Sequence, residues 1–325
     1  MFNKITLLIV IMIIFLVNYN NIYNFFLSYK SLEINKLLNI KNNNIIVPQD
    51  NYINEFNKNG GIVIDNILSD NDCDELNKII SSKEKKIKET REKLDITGEL
   101  WAKYRRVDVI LPIEITEKYV KKIYLKLKHF CDTICPDPKL IEISAFITYP
   151  GCYPQPWHTD HEYVDHAYYD NKEPSNIVTF GIALDKVTQD MGPLELYAGS
   201  NNIWKQSKEH RKSLYKKYNI NMDDSTGNDY VDGLKTQALE ELCKKMNLKK
   251  KSLTSDKGSL VAWSNRACHR GGGNILKRRP VFYFSLSGKG HIPDYTTYFL
   301  KRFDNLTYIS YTPEMDCDED SDEDE

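Results

Sequence analysis

Four residues of this chain have types and spacings suited to chemistry: His158 and Asp160 in the triplet His158-Thr159-Asp160, a distant His269, and Arg279 ten residues beyond it. On extended backbone, side chains repeat direction every second residue, so His158 and Asp160 face the same side. A histidine on a facing strand can then supply a third ligand. Two imidazoles and one carboxylate on one face of a metal leave three positions open, the facial arrangement of non-haem Fe(II) oxygenases. Arg279 adds a planar, fixed cation able to hold the carboxylate of an organic acid at two points. Its neighbour Arg278 competes for that role. The two point to opposite faces of a strand, and register with Val281-Phe282-Tyr283-Phe284 selects Arg279. The histidines also permit another reading. His158, His161 and His166 have spacings that could form a zinc or manganese cluster, which would suit a zinc-dependent hydrolase or isomerase.

The flanking blocks are as informative as the triplet. Ser144–Tyr149 is strand-like and runs into the turn Pro150-Gly151 and then Gln155-Pro156-Trp157. Gly192-Pro193-Leu194 leads to Ala198-Gly199-Ser200. Gly258-Ser259-Leu260 precedes His269-Arg270-Gly271-Gly272, and Arg279 opens the last apolar strand. With these blocks the chain resembles the phytanoyl-CoA dioxygenase family of Fe(II)- and 2-oxoglutarate-dependent oxygenases, over roughly residues 140–290 and more weakly from about 50. The resemblance implies iron ligation by His158, Asp160 and His269, and binding of the distal carboxylate of 2-oxoglutarate by Arg279, helped by a hydroxyl such as Tyr149 or Ser285. It implies oxidative decarboxylation of 2-oxoglutarate with O2, giving succinate and CO2, and oxidation of an organic substrate that the sequence does not identify. Related halogenating enzymes lack the carboxylate, so Asp160 favours hydroxylation. Ala198, Asn201 and Ser259 stand where the family usually has Pro, His and Asp, and none is a proposed ligand. A non-enzymatic alternative is a membrane-tethered cupin-fold binding module that has lost turnover.

Positioning such a site requires a sheet-rich core, and the chain can supply one. Its 325 residues, 41% hydrophobic and 11% aromatic, can bury a full catalytic domain. Short β runs at 141–149, 176–185, 193–197, 259–264 and 280–287, separated by Gly/Pro turns, predict a jelly-roll, a double-stranded β-helix of the cupin type. Helices pack around it, giving a mostly β fold with flanking helices. A helix, turn and strand are expected around Phe56–Ile64. Ser69-Asp70-Asn71-Asp72 caps a helix running to about 90, and another helix is expected over 116–132. The Lys-rich segment 201–257 reads as a helical insertion placed where lids commonly sit.

The termini differ in character from this domain, which spans 51–312. Residues 5–17 are an unbroken apolar run. With the aromatic flank to residue 27, they read as a signal anchor, or alternatively a signal peptide, giving a single-pass membrane protein of unassigned orientation. Residues 28–50 read as a linker and 313–325 as an acidic, solvated tail. Glu314–Glu325 holds nine acids and no base, so the rest of the chain is net basic although the whole carries −2. The lysines are scattered among acids, which argues against a nucleic-acid partner. Seven cysteines at loose spacings do not make a disulfide framework, and Cys268 reads as a core thiol beside His269.

Overall fold

A computed structural model describes residues 49–94, 105–111, 113–160, 176–203, 208–220 and 233–290. The apolar run at 5–17, nearly all of the linker, His161, His166 and the acidic tail lie outside these residues.

The described chain opens with helix α1 (Asp50–Asn59), stopped by Gly60 in the left-handed region, and strand β1 (Gly61–Ile64). Helix α2 (Asp70–Leu94) follows. It starts where Ser69 and Asp72 cap each other: the Ser69 N–H donates to Asp72 Oδ2 at 3.1 Å and the Asp72 N–H to Ser69 Oγ at 3.2 Å. Strand β2 (Arg106–Ile110) leads to α3 (Ile113–Lys126) and α4 (Lys128–Ile134).

The single helix expected over 116–132 is thus two, broken at Leu127. Gln49 is the cause. Its buried side-chain amide donates to Lys126 O at 2.7 Å and accepts the Phe130 N–H at 2.7 Å. It is inserted between the two groups that would otherwise close a helical turn. Gln49 also corrects the linker boundary, because it is packed in the domain and Asp50 already begins α1.

The strands form two antiparallel sheets. With β3 (Lys139–Thr148), β4 (Ile177–Ala183), β5 (Leu194–Tyr197), β6 (Lys250–Leu253), β7 (Leu260–Ser264), β8 (His269–Gly271) and β9 (Arg279–Ser287), the orders are β1-β7-β4-β9-β3-β2 and β6-β5-β8. The outer face of the six-stranded sheet carries Ile143, Ala145 and Ile147, Phe180 and Ile182, and Phe282, Phe284 and Leu286. These bury against Phe56, Leu76, Ile80, Ile123 and Phe130 of the helices. Phe180 stacks on Phe284 at 5.0 Å, and Phe130 meets Phe180 edge-on at 6.4 Å. Each such side chain contributes about 1.5–3 kcal/mol, so this helix–sheet layer is the main stabilising core.

The inner face meets the smaller sheet. Val261, with Val63 and Trp263 beside it, packs against Leu194, Leu196 and Leu253. The result is the expected double-stranded β-helix, a jelly-roll of cupin type flanked by helices. Sequence patterning had not marked β2, β6 or β8; β6 falls inside the segment read as helical insertion. The insertion's described helices, α5 (Lys208–Lys217) and α6 (Gly233–Lys245), are not a lid over the inner face. Tyr215, Leu239, Leu242 and Cys243 pack with Trp157, Tyr197 and Cys268, behind the residues that precede His158 and His269.

Candidate metal centre

His158 and His269 are neighbours across a single antiparallel bridge. The His158 N–H donates to His269 O at 2.9 Å, and the His269 N–H to His158 O at 2.8 Å. This pairing puts both side chains on one face, with ring centroids 4.5 Å apart. The sequence led us to expect a histidine on a facing strand. The structure instead places His269 on the adjacent strand β8, and only one bridge, not a full strand, carries the His-x-Asp segment. Asp160 is held by its own N–H donating to Asn265 O at 2.9 Å. Its carboxylate oxygens lie 3.6 Å from His158 Nε2 and 3.3 Å from His269 Nε2.

The three ligand-type atoms fall within 4.8 Å of one another, and among the described residues His158, Asp160 and His269 are the group of metal-ligating type that does so. Each imidazole Nδ1 sits 2.8 Å from the carbonyl two residues back, Pro156 for His158 and Ala267 for His269. Donation from Nδ1 selects the tautomer whose Nε2 lone pair faces the shared space. Burial, then the nearby His269, pulls the His158 pKa down to about 4, only partly opposed by Asp160. It is a neutral, ligand-ready imidazole at physiological pH. For His269, burial also favours the neutral form, but the Asp160 carboxylate outweighs it and the pKa is raised. The pair of neutral-capable imidazoles with one carboxylate fits Fe(II) or a similar divalent ion.

Arg279 lies at the start of β9, buried at 5% exposure. One Nη donates to Gly192 O, and its Nε has no hydrogen-bond partner. Among the described residues no carboxylate pairs with it. Burial, and then repulsion from Arg106, lower its pKa to about 10, so it remains a cation. A buried guanidinium with an unmade N–H has the chemistry to take a carboxylate in two-point fashion.

Gly192 and Gly272 make the approach around Arg279 possible: a Cβ on Gly192 would come within 2.3 Å of Gly272 O. Asn274 completes the turn into β9, donating to Thr148 Oγ1 at 3.1 Å and Lys277 O at 2.7 Å. Gln155 explains its own block. Its side chain accepts the Gly271 N–H at 2.8 Å, and its N–H donates to Gly271 O at 2.9 Å, aligning 155–158 along β8.

The two proposed hydroxyl helpers are not beside Arg279. Tyr149 packs against the outer-face core, since it follows Thr148, and it is Thr148 that pairs with Arg279 across β3 and β9. Ser285 lies six residues along β9, about 20 Å away at strand rise. Its hydroxyl donates to Glu142 at 2.8 Å. Thr148, one residue before Tyr149, is the buried hydroxyl residue that lies directly opposite Arg279.

Arg106 was also missed. On β2, its Nε donates to Cys152 Sγ at 2.8 Å and an Nη to Tyr153 O, and its charge acts on both His158 and Arg279. The alternation Arg106-Val107-Asp108-Val109-Ile110 was the available signal. Arg278 faces outward as expected, but it is not idle. It binds Glu84 at 2.8 Å and Asn77 at 3.0 Å, tying α2 to β9. Arg278→Ala should therefore lower Tm by several degrees, from a loss of about 2 kcal/mol, and leave 2-oxoglutarate binding intact. Thermal melts and an anaerobic 2-oxoglutarate titration of the same variant check both halves.

An ion-pair network supports both histidines from behind. Glu195, buried on β5, binds Arg270 at 2.7 Å and Lys250 at 2.9 Å. Arg270 covers the Trp157 ring at 4.5 Å. Arg270 follows His269 and Trp157 precedes His158, so the network fixes both ligand-bearing segments. Burial pushes the Glu195 pKa up, but hydrogen bonds from Lys250 and Arg270 hold it below 4.5. Its contribution is complete above about pH 4.5 and is lost as pH falls through the depressed native value. Glu195→Ala should cost about 3 kcal/mol at neutral pH, and the gap from the parent protein should shrink below pH 4.5, as measured by denaturant melts across pH.

The structure is similar to AviO1 from Streptomyces viridochromogenes Tue57, with a TM-score of 0.48 and 12% identity over 77% of this chain and 99% of that one. It is similar to EvdO2 from Micromonospora carbonacea var. aurantiaca complexed with 2-oxoglutarate, with a TM-score of 0.47 and 14% identity over 78% and 96%. It is also similar to EctD from S. alaskensis with bound Fe, with a TM-score of 0.44 and 14% identity over 77% and 79%. No curated protein matches the sequence. The family model for phytanoyl-CoA dioxygenase (PhyH) matches residues 56–278, well over half of the chain. The chain therefore belongs to the phytanoyl-CoA dioxygenase family and is a 2-oxoglutarate-dependent dioxygenase with iron as its metal.

Proposed function

We propose that this dioxygenase hydroxylates an organic substrate at a carbon beside the His158/Asp160/His269 cluster. The overall change converts substrate C–H, 2-oxoglutarate and O2 into C–OH, succinate and CO2. The observation that carries the reading is the pairing of that cluster with a buried, carboxylate-free Arg279. When bound, Fe(II) supplies activation of O2 and oxidation of 2-oxoglutarate. The protein's share is positional. His158 and His269 present Nε2 because Pro156 and Ala267 hold Nδ1, and Asp160 adds the carboxylate that distinguishes hydroxylation from halogenation. Arg279 receives the distal carboxylate of 2-oxoglutarate, with Thr148 rather than Tyr149 or Ser285 as the adjacent hydroxyl. The test is succinate formation from 2-oxoglutarate by protein reconstituted anaerobically with Fe(II) and then exposed to O2. Zinc-supported turnover without O2 would instead favour a hydrolase or isomerase.

Membrane attachment through residues 1–27 is part of the same reading, supported by the apolar run at 5–17. Among the described residues no helix is long and apolar enough to cross a membrane. Deleting residues 1–45 should give a domain that stays in the supernatant without detergent and keeps 2-oxoglutarate turnover, whereas the full chain pellets with membranes. Aggregation of the truncated chain would show that the run belongs to the core.

A further inference from the structure

Strand β7 and a residue just after it carry buried polar atoms that have no hydrogen-bond partner among the described residues. Trp263 Nε1 has no hydrogen bond, and neither Nδ2 nor Oδ1 of Asn265 has one. Asn265 is 1% exposed. Its main chain is fully engaged, the N–H donating to Ile177 O at 3.2 Å and the carbonyl accepting the Asp160 N–H at 2.9 Å. The unpaired amide is therefore fixed next to the residue that offers the metal its carboxylate. The Trp263 ring lies 6.0 Å from the His269 ring. It lies across Gly181, where a Cβ would meet it at 3.3 Å.

Strand register extends this polar region. Glu142, Ser285, Thr179 and Trp263 form one row across β3, β9, β4 and β7. The Ser285 hydroxyl bonds Glu142 at 2.8 Å and shares a hydrogen bond with Thr179 at 2.9 Å. This row is about 20 Å from the Thr148–Arg279 pair at strand rise. The Arg279 end is thus set apart for the anion, while the opposite end of the same face, nearest Asn265, is polar. Natural proteins leave very few buried donors and acceptors unmade, and a cluster of them beside a metal-ligating carboxylate points to a functional use. A hydrocarbon chain at this place would leave three polar atoms unpaired and desolvated.

We propose that Asn265 and Trp263 are specificity-determining residues that recognise the organic substrate, a polar small molecule carrying both hydrogen-bond donors and acceptors, such as a hydroxylated or aminated metabolite, and not an acyl chain. The proposal rests on the dioxygenase reading above. The test uses the full chain with Fe(II), 2-oxoglutarate and O2, measuring succinate release with two compound panels: polyols, amino acids and their amides in one, fatty acids and acyl-CoA thioesters in the other. A member of the polar panel should raise succinate formation about tenfold over the rate without added compound. Asn265→Leu should raise the KM for that compound about tenfold or more, and Trp263→Phe, which removes only the N–H donor, should raise it several-fold.

A readout independent of activity accompanies this. Because Asn265→Leu replaces an unsatisfied amide by an apolar group of similar size, the metal-free variant should melt at or above the parent, by about 3 °C. Stimulation by the acyl panel alone, stimulation by neither panel, or a fall in Tm of similar size in Asn265→Leu overturns the proposal. These failures are distinct from failure of the dioxygenase reading. That reading falls if the parent protein forms no visible absorption band with Fe(II) and 2-oxoglutarate under anaerobic conditions.

Discussion

Asp160→Ala, His158→Ala and His269→Ala should each lose Fe(II) on anaerobic desalting and lose turnover, while His161→Ala and His166→Ala should retain most of both. The expected loss in turnover is at least about a hundredfold. That is the upper end of what removing a mere supporting partner of a ligand costs, so a ligand itself must exceed it. The argument is geometric: three ligand-type atoms within 4.8 Å, two of them imidazole Nε2 atoms exposed to the shared space because each Nδ1 is held by a carbonyl. Asp160→Ala is the most decisive variant. Its side chain is 43% exposed, so replacing it opens no buried cavity and the apo protein should melt close to the parent. His269 is buried, and its replacement also opens a cavity, so iron content must be compared with Tm for that variant. Iron is measured by metal analysis and turnover by succinate. Retention of iron by Asp160→Ala together with its loss in His161→Ala would move the site to the histidine cluster and toward zinc chemistry.

Much of this site was legible because its determinants are local in sequence. The His-x-Asp spacing, the alternation that separates Arg278 from Arg279, and the strand runs all depend on a period of two, which a sequence displays directly. What failed was what depends on a partner far along the chain. The break at Leu127 comes from Gln49, 78 residues earlier, and no periodicity could announce it. Strand β6, Lys250–Leu253, has the composition of an exposed helix, and it is a strand because β5 offers it an edge. Strand β8 is three residues long, too short to show alternation at all.

The same distinction separates the hydroxyls. Both Thr148 and Tyr149 carry a hydroxyl, and only the β3–β9 register shows that it is Thr148 that lies opposite Arg279. The segment 201–257 was read as a helical insertion, but its last residues include strand β6 of the smaller sheet. The position of its helices behind Trp157 and Cys268 required knowing which face of the smaller sheet was still uncovered. Alternation could have marked β2 as a strand but not what Arg106 does there, for a related reason. A basic residue on a short strand looks like any surface charge until β2 is seen to place it near both Arg279 and His158.

Arg279→Ala should raise the 2-oxoglutarate concentration needed for half-saturation by roughly two or more orders of magnitude while leaving iron content near that of the parent. Removing one partner of a buried ion pair costs about 3–5 kcal/mol, and each 1.4 kcal/mol is a decade in affinity. The structure sharpens the expectation. Arg279 is 5% exposed, its Nε is unpartnered, and its one hydrogen bond is to the Gly192 carbonyl. Among the described residues no carboxylate compensates its charge, so alanine should relieve that penalty. The metal-free Arg279→Ala protein should accordingly be no less stable than expected for loss of the packed side chain alone, unlike Glu195→Ala, where a compensated network is broken. Arg279→Lys should be impaired but milder, since an ammonium keeps the charge and loses the planar fork. Arg278→Ala should titrate like the parent, because that guanidinium is committed to Glu84 and Asn77 on α2. The measurement is an anaerobic titration of iron-loaded protein with 2-oxoglutarate, followed by the visible charge-transfer band. If Arg279→Ala titrates like the parent and Arg106→Ala does not, the distal carboxylate is held from β2, and Arg279 is left as a buried cation serving the fold.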